Sequence, residues 1–139
     1  PSCGFDVAKE QMGAGAHTDY GVVPLLFQDH VGGLQLKNGA TWIDVPPEEG
    51  TANINTGDLM MHWSNGRYPS TCHRVLPLIG NTDRYSIAFF TDPDGDTEVD
   101  CLASCVSEAH PKRYAAITAG EHIQRKIDRS QSPEMGDYP

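Results

Sequence analysis

The apolar runs of this chain are short, and each is cut off by glycine, proline, asparagine or aspartate: Val22 to Phe27, Gly33 to Leu36, Thr41 to Val45, Ala52 to Asn55 and Tyr85 to Phe90. Runs of four to six residues suit β-strands and are too short for an average helix. Glycine and proline (14 and 10 of 139 residues) make up about one residue in six, so turns recur along the chain. Many short strands with frequent turns predict an all-β chain with minor helix, a sandwich, jelly roll or barrel, rather than a βαβ architecture.

Two segments depart from this pattern. Asp58 to Trp63 carries apolar residues at 59, 60 and 63, the spacing of one or two helical turns. Thr118-Ala119-Gly120-Glu121 has the form of a capping box. It predicts a C-terminal surface helix over Ala119–Arg129, with Ile123 and Ile127 on one face and Lys126 and Arg129 in its last turns. The expected organisation is one domain over 1–129 and a flexible tail over 130–139, which is polar and contains two prolines.

A formal charge of −9 argues against nucleic acid and against a membrane surface as partners, since both attract clustered Lys and Arg. The stretch from Gly21 to Phe27 is broken by Pro24 and falls far short of the roughly 18 apolar residues of a membrane span. With 38% hydrophobic residues the chain is expected to build a single core, a domain of this size burying about two-thirds of its unfolded surface. Cys3, Cys72, Cys101 and Cys105 contain no CxxC pair, and the spacing of 101 and 105 is poor for zinc. They read as reduced thiols of a cytoplasmic protein, with a Cys101–Cys105 bridge the alternative.

Chemistry concentrates in three places. His17-Thr18-Asp19 is an HxD, whose imidazole and carboxylate share one face if the chain is extended. About one such pair is expected by chance at this composition, so the motif alone reads first as a polar strand end facing water. His73-Arg74-Val75 places a second histidine at the start of a β-branched run, and Arg84-Tyr85-Ser86 opens the strongest strand. Alternation sets Arg84, Ser86, Ala88 and Phe90 on one face. A guanidinium on an inward face calls for an anion, and it matches a carboxylate through two parallel hydrogen bonds. Two histidines and a carboxylate with open positions form the facial triad of non-heme Fe(II) oxygenases.

With these residues in place, the order of motifs resembles the iron(II) and 2-oxoglutarate-dependent dioxygenases, in the branch that includes isopenicillin N synthase. His17-Thr18-Asp19-Tyr20-Gly21 is similar to the family's HTDxG, and Val31 to Leu36 to its VGGLQV strand. Trp42 to Pro47 is similar to WxxVPP, Asn55 to Leu59 to NxGDL, and Arg84 to Phe90 to RxSxxxF. Trp63 to Gly66 and Ser70 to Val75 complete the series. The resemblance implies a double-stranded β-helix, the cupin-like jelly roll, with Fe(II) held by His17, Asp19 and His73. It implies that Arg84 and Ser86 bind the distal carboxylate of 2-oxoglutarate, with O2 as the other cosubstrate. The implied reaction oxidises a C–H bond of a small organic substrate by hydroxylation, desaturation or ring closure and releases succinate and CO2, with no side-chain catalyst beyond the metal site. The family's Asn-x-Tyr-Pro segment lies just upstream, and Pro1 stands about where its proline belongs, so the chain is expected to be the C-terminal part of a longer protein. The missing region or a partner chain would then complete the fold.

Two alternatives accompany this reading. Some relatives use the RxS pair for the substrate's carboxylate and need no 2-oxoglutarate, as isopenicillin N synthase does; a catalytically idle jelly-roll module is the other. For Arg84 the competing role is a salt bridge with Asp83 or Glu98. Phe90 and Asp92 continue the Arg84 face toward a substrate position. His62 reads as helix packing, His30, His110 and His122 as solvated, Cys72 as a buried thiol, and Asp92 to Asp96 as a turn rather than a calcium loop.

Overall fold

The computed structural model describes residues 13–77 and 82–130 of the chain. Sequence order is β1 (Ala14–His17), β2 (Leu25–Gln28), β3 (Leu34–Asn38), β4 (Thr41–Asp44), β5 (Asn53–Ile54), α1 (Asp58–Trp63), β6 (His73–Val75), β7 (Ser86–Phe89), β8 (Glu98–Val99), β9 (Ile117–Thr118) and α2 (Ala119–Ser130). Strands β1-β6-β3-β4 form one sheet and β5-β2-β7 a second, and every pairing is antiparallel. From β1 to β7 the chain changes sheet at every step except the β3–β4 hairpin, which is how a double-stranded β-helix winds. Of the sandwich, jelly roll or barrel that the strand lengths allowed, the jelly roll implied by the family resemblance is the observed fold.

Local chemistry explains most of the boundaries. β2 begins at Leu25 because Pro24 has no N–H for the ladder, which shortens the expected run from Val22. The β3–β4 hairpin turns on Gly39, at φ 58°, a conformation that favours glycine. Thr118 caps α2 as expected, its Oγ1 accepting the Glu121 N–H at 3.2 Å, and the helix runs one residue past Arg129. The two-residue strands β8 and β9 carry no sequence pattern long enough to announce them. The proposed tail falls outside the described residues except for Ser130, which closes α2, and Pro1 lies outside them too.

The core sits away from the two main sheets. Leu59, Val99 and Ala119 form its fully buried cluster, with Val22, Trp63, Ile117 and Ile123 packed around them. Here α1, the β8–β9 pair and α2 meet. Between the sheets lies a cavity rather than a packed interior, so the single core expected from composition is smaller than expected. The outer face of β5-β2-β7 is open: Phe27, Tyr85, Ile87 and Phe89 are all exposed, Ile87 at 71%.

Candidate metal centre

A cavity of about 210 Å³ opens between the two sheets. Strand alternation sets its walls, with Leu34 and Leu36 from β3, His73 and Val75 from β6, and Ser86 and Ala88 from β7. His17, Asp19 and His73 stand at one position along it, and each offers a ligand atom within 4.8 Å of the others. No other cluster of this kind occurs among the described residues.

Sheet register brings the histidines together. His17 and His73 face each other across β1 and β6, with ring centroids 4.3 Å apart. The register slips by one residue between the Ala14–Val75 and His17–His73 pairs, so β1 carries one more residue than β6 over this stretch. That bulge returns His17 to the face of Val75; an unbroken alternation would turn it to the other side. Asp19 lies beyond the end of β1 instead of within an extended HxD, and it is 8% exposed. Its backbone carbonyl accepts the Asp58 N–H at 2.8 Å, fixing the turn that carries it.

Hydrogen bonds orient the donors. His17 Nδ1 lies 2.7 Å from the Gly15 carbonyl and His73 Nδ1 lies 3.1 Å from the Thr71 carbonyl. A carbonyl can only accept, so each neutral imidazole carries its proton on Nδ1 and keeps the Nε2 lone pair for a metal. His73 Nε2 stands 3.7 Å from Asp19 Oδ2, too far for a direct hydrogen bond. Asn55 Nδ2 donates to Asp19 Oδ2 at 2.6 Å. Two neutral nitrogen donors and one carboxylate, each held by an outer hydrogen bond, suit a divalent first-row ion such as Fe(II).

The same cavity holds the proposed carboxylate clamp. Arg84 donates through Nε to the Gly32 carbonyl at 2.6 Å and through its other nitrogens to Ser86 Oγ at 3.1 Å and Gln28 Oε1 at 3.3 Å. Among the described residues no carboxylate forms an ion pair with it, so the competing salt bridge with Asp83 or Glu98 is absent. Gly32 and Gly33, at φ 80° and 89°, lead the chain past Arg84 into β3. Asp29 anchors the start of β7: its carboxylate accepts the Tyr85 N–H at 2.5 Å and the Val31 N–H at 3.0 Å. Chiefly the Tyr85 bond holds its pKa below the ordinary carboxylate value.

Phe90 lines the cavity, whereas Asp92 does not; the Asp92 carboxylate lies against Gly21. Asn55, Asp29, Gln28 and Gly32 were not singled out by sequence reasoning, although Asn55 opens the NxGDL segment, where a fixed Asn beside a ligand-bearing turn was the available signal. His122 corrects an expectation. It is not solvated: its side chain is 16% exposed, its Nε2 has no hydrogen-bond partner among the described residues, and burial pushes its pKa down. His62 packs inside α1 as expected, with the same orphaned Nε2. Cys72 is half-buried, and Cys101 and Cys105 are unbridged.

The chain is similar to known proteins over most of its length. A model of the 2OG-Fe(II) oxygenase superfamily matches residues 1–93. A 2-oxoglutarate-Fe(II) type oxidoreductase of Emericella nidulans is 41% identical over 124 residues, covering 88% of this chain and 35% of that protein. A homoarginine-6-hydroxylase of Glycine max is 40% identical over 129 residues, covering 89% and 38%. The crystal structure of a full-length Neurospora crassa protein in complex with alpha-KG superposes with a TM-score of 0.78 at 37% identity, covering 89% of this chain and 40% of that one. The chain thus spans well under half the length of these relatives. With a family model across two-thirds of it and relatives near 40% identical along nearly nine-tenths, this chain belongs to the 2OG-Fe(II) oxygenase superfamily.

Proposed function

We propose that the chain is the catalytic part of an Fe(II)- and 2-oxoglutarate-dependent dioxygenase acting on a small organic substrate. One observation carries this reading: His17, Asp19 and His73 converge in a cavity that also holds Arg84 and Ser86, and among the described residues no carboxylate forms an ion pair with that guanidinium. In it, His17 and His73 bind iron through Nε2 and Asp19 through its carboxylate, while Arg84 and Ser86 take the distal carboxylate of 2-oxoglutarate. Bound iron and 2-oxoglutarate supply the oxidising chemistry, in which O2 and the oxo acid yield succinate and CO2 as a substrate C–H bond is oxidised. The protein contributes position and dryness. Arg84 is preset by Gly32 and Gln28, and Leu26, Leu34, Leu36, Val75 and Ala88 keep water from the reacting atoms. Phe90, at the cavity wall, contacts the substrate.

The names of the relatives and the alpha-KG complexes among the solved structures support use of 2-oxoglutarate over the oxidase and idle-module alternatives. The motif order supports a place in the isopenicillin N synthase-like branch. Free thiols at Cys72, Cys101 and Cys105 support a cytoplasmic location. The open face of β5-β2-β7 is covered, in this reading, by the part of the relatives' length that the chain does not span.

Anaerobic Fe(II) titration with 2-oxoglutarate tests the site. A weak visible charge-transfer band is expected in the wild type and lost in Asp19→Ala, while Arg84→Ala keeps iron but needs far more 2-oxoglutarate. Iron bound without the band favours the 2-oxoglutarate-independent oxidase, and no iron bound favours the idle module.

A further inference from the structure

Asp58 is a carboxylate with 4% exposure, set in the first turn of α1, and none of the chemistry above uses it. A charge so deeply buried persists only when paired and hydrogen-bonded. Its partners come from opposite ends of the chain. Lys126 of α2 places Nζ 2.6 Å from Asp58 Oδ2, and Thr18, between the two HxD ligands, donates its hydroxyl to the same oxygen at 3.3 Å. His122 Nε2 stands 3.9 Å away, and the Lys126 ammonium lies 5.9 Å from the centre of the Tyr20 ring.

The first turn of α1 is also joined to the ligand-bearing turn through its backbone. The N–H groups that open a helix have no partner within it. Here Gly57 donates to the Val22 carbonyl at 2.9 Å, Asp58 to Asp19 at 2.8 Å, and Leu59 to Gly21 at 3.0 Å. The segment 19–22 therefore serves as the cap of α1, and whatever fixes the first turn of α1 fixes Asp19.

We propose that Lys126 is a positioning residue for the metal centre: by neutralising buried Asp58 it holds the first turn of α1 against Thr18 to Gly21, and so aims the Asp19 carboxylate. This rests on the reading of His17, Asp19 and His73 as metal ligands. Without the ammonium, the Asp58 carboxylate is left buried and uncompensated, and it moves toward water, taking the α1 turn from the Asp19 carbonyl. A group hydrogen-bonded directly to a metal ligand typically changes affinity about 10- to 100-fold when lost, and Lys126 acts one contact further out, so a smaller loss of about 3- to 10-fold is expected.

Anaerobic Co(II) titration, followed by the visible d–d bands, reads affinity and coordination geometry without turnover, and is paired with the melting temperature of the metal-free protein. Lys126→Gln is expected to bind about 3- to 10-fold more weakly with altered bands, Lys126→Arg to bind nearly as the wild type, and Asp58→Asn to recover affinity in the Lys126→Gln background. Unchanged affinity and bands in Lys126→Gln overturn the inference alone. No Co(II) bound by the wild type overturns the metal-ligand reading, and this inference with it. Should Lys126→Gln not fold, Thr18→Val decides: it removes only the hydroxyl contact to Asp58, a loss of about fivefold is expected, and unchanged affinity overturns the proposal.

Discussion

Asn55 shows how much a single outer hydrogen bond can carry. Its amide holds Asp19 Oδ2 at 2.6 Å, so Asn55→Ala is expected to weaken metal binding about 10- to 100-fold with little change in melting temperature, measured by anaerobic titration. His62 and His122 give a second prediction at this scale. Burial is the largest cause lowering both pKa values from the ordinary 6.5, so the unfolded chain takes up protons first as pH falls. Their contribution to stability is complete above about pH 6.5 and is lost as pH drops below it toward the depressed folded values. Metal-free protein is expected to melt at a lower temperature at pH 5.5 than at pH 7.5, and His62→Gln with His122→Gln to flatten that slope; an equal slope in the double variant would sink the assignment. The candidate ligands His17, Asp19 and His73 were singled out from residue type and motif order, and the structure brings them within reach of one ion. Asn55 and the buried state of His122 were not, because both depend on what packs against them.

Among the elements, α1 and the turn before it are tied most closely to the site. A Cβ on Gly57 would overlap the Gly21 carbonyl oxygen and press on the Asp19 carbonyl at 3.0 Å. The Gly57 backbone is one that alanine adopts freely, at φ −95°, so Gly57→Ala is a test of space alone. It is expected to lower unfolding stability by about 1–3 kcal/mol in urea titration and to weaken metal binding together with it. Strands β2 to β5, β7 and both helices followed from run length, turn residues and capping, whereas the two-residue β8 and β9 did not. The β1 bulge that returns His17 to the cavity did not, since a one-residue slip is a property of the pair β1–β6 and leaves no mark on β1 alone.

For the whole molecule, the decisive feature is how little is closed. Leu34, Leu59, Val99 and Ala119 are the buried hydrophobic residues among those described, while the outer face of β5-β2-β7 presents Tyr85, Ile87 and Phe89 to solvent. An open apolar sheet face promotes association. The isolated chain is expected to bind the dye ANS, and Ile87→Thr with Phe89→Thr to reduce that binding without altering metal affinity, because both residues face away from the cavity. By itself the sequence determined the strand-rich fold and the capped C-terminal helix, since strand length, alternation and capping are local properties of the chain, and its motif order pointed to the candidate ligand trio and the Arg84–Ser86 pair. Only the tertiary structure decided that His17 and His73 meet across two strands, that Asn55 and Gly32 orient the site, and that Asp58 is paired from α2. Those contacts join residues distant in the chain, and their energy comes from burial and hydrogen bonds that exist only once the chain has folded.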